Sequence, residues 1–196
     1  MPAGRPIQYD PEAVLEAAMQ TFWSRGYEAT ALPDLLAATG LSRSSLYQVF
    51  GSKQGLFETC LEHYAETLAR EMEDALAAAP RGLDFLAGVL TGFVEERGAE
   101  ARRRGCLVLN SAREFSCREP SIAKRVNAST QRMLRIFATA IRRAQAEGDI
   151  PAHSDPDALA AFFLSSVSGL RNMLQTRMER ELLRSATARI MAALRA

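Results

Sequence analysis

ALPDLLAATGLSRSSLYQVF, residues 31 to 50, reads as two short helices joined by a tight turn. Leu32, Leu35 and Leu36 give the first an apolar face at helical spacing. Thr39-Gly40 ends it, because glycine accepts the left-handed conformation that closes a helix. Leu41 is an apolar plug for the turn, and Ser42 is a good N-cap for the next helix. Leu46, Val49 and Phe50 recur three and four apart, which predicts a buried inner face. Arg43, Ser44, Ser45, Tyr47 and Gln48 fall on the remaining faces; all five carry hydrogen-bond donors and none is acidic. A short helix anchored by apolar residues, with a donor-rich outer face, suits the major groove of double-stranded DNA. The bland alternative is a solvated helix hairpin within any helical protein.

The flanks decide between these. Upstream runs Phe22-Trp23-Ser24-Arg25-Gly26-Tyr27-Glu28-Ala29-Thr30, and downstream Gly51-Ser52-Lys53-Gln54-Gly55-Leu56-Phe57. The F-x-x-x-G-Y-x-x-T end of helix 1, the A-x-x-G-[LIV]-S turn, the L-Y-x-x-F helix and the S-K-x-x-L-F start of helix 4 agree in order and distance. Together they resemble the N-terminal domain of the TetR/AcrR family of one-component transcriptional regulators. Two positions depart from that pattern. Ala31 stands where a second Thr or Ser is common, which leaves Thr30 as the expected cap. Pro33 stands where a polar residue is common, and fits a first helical turn. The resemblance implies a DNA-contacting set of Arg5, Thr30, Arg43, Ser44, Ser45, Tyr47, Gln48 and Lys53. Tyr47 and Lys53 are expected on phosphates; Arg43, Ser44, Ser45 and Gln48 face base edges. Arg5 lies in the polar arm Met1 to Tyr9, which either reaches phosphate or the minor groove or is a tail without a role.

Composition limits the classes. The chain has 196 residues, 47% hydrophobic and 24% charged, with net charge +1. That suffices for one medium domain, or a small one plus a larger one. Up to Lys53 the cations Arg5, Arg25, Arg43 and Lys53 face the acids Asp10, Glu12, Glu16, Glu28 and Asp34, so no broad basic coat exists. The local exception is Leu41 to Lys53, which has two cations and no acid. No apolar run approaches a membrane span, and the N-terminus carries no signal-peptide core. Cys60, Cys106 and Cys117 are odd in number and lack metal-ligand spacing, which predicts reduced thiols in a cytoplasmic protein. His63 and His153 are expected on solvated or satisfied helix faces. No catalytic set, phosphate loop or metal cluster appears, so neither an enzyme nor a cofactor is expected.

The chain reads as all-α. Asp10-Pro11 opens helix 1 and Gly26 ends it. Trp23 reads as structural, on the helical core or at a domain junction. Helix 4 is expected from Lys53 to about Ala79 as a rod between a DNA-binding domain, residues 1–53, and an effector-binding and dimerisation domain, residues 54–196. Helix 5 runs from Leu83 to Arg97, and Gly98 to Gly105 is a polar, basic connection. Helix 6 starts at Gly105-Cys106 and runs to about Phe115, helix 7 follows Glu119-Pro120, helix 8 follows Asp155-Pro156, and helix 9 runs from about Glu179. Helix 8 is apolar over most of its circumference and needs cover on two sides. The resemblance implies a homodimer through helices 8 and 9, with Phe163, Val167, Leu170, Leu174, Leu183 and Ile190 at the interface. It also implies a small-molecule effector pocket, for which Phe85, Val89, Phe93, Phe115, Met133, Phe137 and Phe162 are candidate walls and Asn110 and Arg113 candidate anchors. Plain core is the competing reading for each apolar residue.

Cys106 follows Arg102, Arg103 and Arg104 at an expected helix N-terminus, where cations and free amides favour a thiolate. Its segment resembles helix 6 of electrophile- and oxidant-responsive family members; the alternative is a small buried side chain. In an unbroken helix Cys106 and Cys117 would stand about 16 Å apart at ~1.5 Å per residue, beyond the ~7 Å that a disulfide spans. The whole is the pattern of a ligand-responsive repressor that binds a pseudo-palindromic operator. The rival is a small-molecule or thiol sensor without specific DNA binding.

Overall fold

A computed structural model describes residues 10–95, 104–115, 119–176 and 178–196. Arg5, Arg102, Arg103 and Cys117, and with them the arm and disulfide questions, lie outside the described residues. So does most of the Gly98 to Gly105 connection. The described residues form nine helices and no strand. In chain order they are α1 Pro11–Arg25, α2 Leu32–Thr39, α3 Arg43–Phe50, α4 Lys53–Ala78, α5 Gly82–Glu95, α6 Leu107–Phe115, α7 Pro120–Ala146, α8 Pro156–Gln175 and α9 Arg180–Leu194. None is long and apolar enough to cross a membrane.

Contacts divide the chain into Met1–Tyr64 and Ala65–Ala196. The division falls inside α4, eleven residues beyond the expected end of the first domain at residue 53. The reason is packing: Leu56, Phe57, Cys60, Leu61 and Tyr64, in the first half of α4, are all buried. In the N-terminal unit Phe57 meets Phe22 edge-on at 5.0 Å and Tyr27 at 5.1 Å. Trp23 lies edge-on to Tyr64 at 5.0 Å, as a structural residue. The Asp10 carboxylate accepts the Glu12 N–H at 3.0 Å and so caps α1, with Pro11 at a position that needs no donor.

The larger unit has one continuous core. α7 supplies Met133, Ile136, Phe137, Ala140, Ile141 and Ala144, a stripe at helical spacing. α5 brings Leu86, Leu90 and Val94, and α8 brings Ala160, Phe163, Val167 and Leu170. Phe163 meets Phe137 edge-on at 4.9 Å. Gly82 opens α5 so close to α7 that a Cβ there would collide with the Ala140 carbonyl oxygen. Arg143 of α7 secures the same corner: its guanidinium donates to the carbonyls of Leu76 at 3.1 Å, Ala79 at 3.1 Å and Pro80 at 2.7 Å. These are the unfilled acceptors at the end of α4. Glu147 completes the joint, accepting from Gly82 N–H at 2.8 Å and Arg143 at 2.9 Å. The Gly82 N–H first, then Arg143, holds the Glu147 carboxyl below its ordinary value.

Candidate functional site

The helix pair α2–α3 forms as its residues require. Gly40 adopts φ 68°, the left-handed conformation that ends α2. Leu41 is buried in the turn, between fully buried Leu35 and Leu46. Ser42 caps α3, its hydroxyl accepting the Ser45 N–H at 3.1 Å and lying 2.9 Å from the hydroxyls of Ser44 and Ser45. Outward stand Arg43, Ser44 and Gln48, all exposed, and half-buried Ser45. Tyr47 is 45% exposed. Val49 is a correction: expected on the inner face, it is 48% exposed beside Tyr47 and Gln48, and only Leu46 is fully buried. The inner face runs instead through Leu46 and half-buried Phe50, four residues apart.

Thr30 is a second correction. It is fully buried and its hydroxyl donates to the Gly26 carbonyl at 2.6 Å, so it neither caps α2 nor faces outward. The cap is built from the far side: the Asp34 carboxylate accepts the Ala31 N–H at 3.0 Å and pairs with Arg25 at 2.7 Å. The Ala31 N–H first, then Arg25, holds the Asp34 carboxyl below its ordinary value. Lys53, at the start of α4, donates to the Tyr27 carbonyl at 2.6 Å, its ammonium 4.2 Å from the Tyr27 ring centre. An ammonium has three donors, so this contact leaves others for an anion.

The larger unit holds a cavity of about 510 Å³ among α4, α5, α6, α7 and α8. Of the expected walls, Val89, Phe93, Met133 and Phe137 line it, and Cys106 lies beside them. Phe85 lies behind it in the core, 6.2 Å from the Phe137 ring. Phe115 faces a separate, smaller space of about 220 Å³. The polar anchors are corrected as well: neither Asn110, whose amide donates to the Arg104 carbonyl at 2.7 Å, nor Arg113, exposed on α6, is among the described lining residues. Leu68, Met72, Ser129, Thr130, Arg171 and Asn172 also line the cavity without having been expected there. Arg171 had a signal in the sequence: it is the one charge in α8 after Asp157. Cys106 lies just before α6, buried, with its carbonyl accepting the Asn110 N–H at 2.9 Å. Cys60 is buried in the other unit, where burial, helped by the charge of Glu16, pushes its thiol up to about 12.

On α8 two adjacent phenylalanines exchange roles. Phe162, expected in the cavity, is 41% exposed, whereas Phe163, expected at a dimer interface, is fully buried. Val167, Leu170 and Leu183, also assigned to the interface, are buried in the protomer's own core, and Leu174 and Ile190 pack half-buried against it. What α8 and α9 leave outside includes Phe162, Met173 at 42% and Leu182 at 58%.

Comparison with known proteins adds the following. A family model described as "Bacterial regulatory proteins, tetR family" matches residues 14–60. One described as "Tetracyclin repressor-like, C-terminal domain" matches residues 82–190. The HTH-type transcriptional repressor ComR of Escherichia coli (strain K12) is 31% identical, over 85% of this chain and 80% of that protein. A cysteine variant of the TetR family transcriptional regulator CifR, solved in complex with 26-bp double-strand operator DNA, is 32% identical. The two superpose with a TM-score of 0.79 over 97% of this chain and all of the other. The reduced form of E. coli NemR has the same fold, at 16% identity, with a TM-score of 0.82 over 94% of this chain and 96% of that one.

Proposed function

The chain belongs to the TetR family of sequence-specific DNA-binding transcriptional regulators, and on that footing we propose a homodimeric repressor released from its operator when a small molecule fills the α4–α8 cavity. One observation carries the reading: the outer face of α3 presents Arg43, Ser44, Tyr47 and Gln48 with no acid among them. Arg43 makes no ion pair among the described residues and offers a planar fork that matches guanine O6 and N7. Ser44, Ser45 and Gln48 read neighbouring base edges, and exposed Val49 suits a thymine methyl group. Tyr47 and Lys53 take phosphates. The protein works in the cytoplasm, on its DNA, and has no enzymatic role.

Dimer formation in this reading uses the exposed apolar side chains Phe162 and Met173 of α8 and Leu182 of α9. A two-fold dimer calls for a pseudo-palindromic operator, with recognition helices about 34–36 Å apart, or a multiple, so that both enter major grooves on one face. The effector acts through α4. That helix gives Leu56 and Phe57 to the core of the N-terminal unit and Leu68 and Met72 to the cavity wall. A ligand that prefers the DNA-incompetent form by 100-fold supplies ~2.7 kcal/mol of coupling, and operator DNA must weaken the ligand equally. Cys106, on the cavity wall, makes an electrophile a fitting effector.

A gel-shift with the full chain and the DNA upstream of its own gene tests the reading. A discrete complex that resists competitor DNA is expected; binding no stronger than to random duplex rejects it.

A further inference from the structure

Among the described residues that line the cavity, Arg171 of α8 is the one charge; no Asp, Glu, Lys or His is among them. Its guanidinium lies over the ring of Phe93, 4.4 Å from the ring centre, and Phe93 is itself a cavity wall. Among the described residues no carboxylate pairs with Arg171, whereas Arg81, Arg132, Arg142, Arg143 and Arg184 all have one. What sets Arg171 apart from other arginines without a carboxylate partner, such as Arg43, is its place: half-buried on the wall of a cavity.

Phe93 supports the cation with its ring, and no hydrogen bond or ion pair to a described residue uses the guanidinium N–H groups. Those groups form the fork that accepts a carboxylate in two parallel hydrogen bonds. A half-buried cation bordering an apolar space repels cationic ligands. It favours a ligand that brings the missing negative charge, since a desolvated charge is stable only when paired. The rest of the wall near it, including Met133, Phe137 and Val89, offers apolar surface for a hydrocarbon body. At about 510 Å³ the space holds a small organic molecule.

We propose that the cavity takes an amphiphilic organic acid, a hydrophobic body ending in one carboxylate, and that Arg171 on its Phe93 platform binds the acid head. The inference rests on the cavity being the effector site. Asn172, which also lines the cavity, is a neighbouring polar contact for the head group.

Isothermal titration of the full chain with two bodies and three heads tests it. The probes are octanoate, octanamide and octylamine, and 2-naphthylacetate, 2-naphthylacetamide and 2-(2-naphthyl)ethylamine. On at least one body the acid should bind about tenfold or more tighter than the amide, and the amine should not bind. In Arg171→Gln the acid-to-amide ratio should fall to about one while the amide binds as before; that retained amide affinity shows the variant's cavity is intact. Should Arg171→Gln not fold, Arg171→Lys replaces it, and its acid preference should shrink because the fork is lost. An amide that binds the unmodified protein as tightly as its acid overturns the assignment and leaves the cavity reading standing. So does an acid preference that survives unchanged in both variants. Binding by none of the six probes overturns the cavity reading and this inference with it.

Discussion

Substituting Phe162 and Phe163 separately should produce opposite defects, although the two residues are adjacent. Phe162 is 41% exposed and Phe163 is fully buried against Phe137. Full burial of a phenylalanine is worth about 1.5–3 kcal/mol, so the part of Phe162 still outside represents roughly 1 kcal/mol. A two-fold interface counts each residue twice. Phe162→Ala should therefore weaken the dimer by about 2 kcal/mol, near 30-fold in Kd. Phe162→Asp adds an unpaired charge to an apolar contact, a further cost of about 3–5 kcal/mol, and should give monomers at micromolar concentration. Its helix content should persist, because no core contact is lost. Phe163→Ala removes a packed ring and should cost about 3–5 kcal/mol of chain stability. Sedimentation velocity reports the assembly and circular dichroism during heating reports the fold; both should be run at one protein concentration, since dimerisation itself raises the melting point. A Phe162→Asp protein that sediments as a wild-type dimer would refute the assignment of this face.

Four further outcomes follow from the same geometry. Arg43→Ala should cost about 1–3 kcal/mol of operator binding and relax one position in each half-site, read by competition against singly substituted operators. Lys53→Met should weaken all sequences alike and lower the salt slope by about 0.9 for each protomer; an unchanged slope would confine Lys53 to its bond with the Tyr27 carbonyl. Because Gly82 N–H and Arg143 hold the Glu147 carboxyl below its ordinary value of 4.5, its contribution to stability is present above that pH and is lost as pH falls through the lower folded value. Glu147→Gln should flatten that acid limb in melting curves taken between about pH 6 and pH 3. Cys60, with its thiol pushed up to about 12, should resist iodoacetamide at pH 8 in the folded protein and react once urea exposes it, as peptide mapping would show.

The helices were legible because their ends are marked by chemistry. Asp10-Pro11, Gly40, Ser42 and Asp155-Pro156 each punctuate the chain with a residue whose local hydrogen bond or dihedral leaves few alternatives, and the structure caps its helices there. Faces were less legible. α8 is apolar around most of its circumference, so periodicity could not say which of Phe162 and Phe163 turns inward; that depends on where α7 lies. Polar residues were harder still. Residue type marks Thr30, Asn110 and Arg113 as able to bond a ligand but not where they face: the Thr30 hydroxyl and the Asn110 amide donate to nearby carbonyls, and Arg113 points outward. Arg171 sits inside an apolar helix, and a lone cation there is the kind of exception that marks a site.

The proposed dimer reads DNA through α3. Selection of bound duplexes from a random pool by the full chain, followed by sequencing, tests it most directly. The expected product is an inverted repeat whose half-site centres lie about 34–36 Å apart, or a multiple, with one symmetry-related base pair losing its information when Arg43→Ala replaces the wild type in the selection. A pool without an enriched motif, or a motif that Arg43→Ala, Gln48→Ala and Tyr47→Ala all leave unchanged, would contradict it.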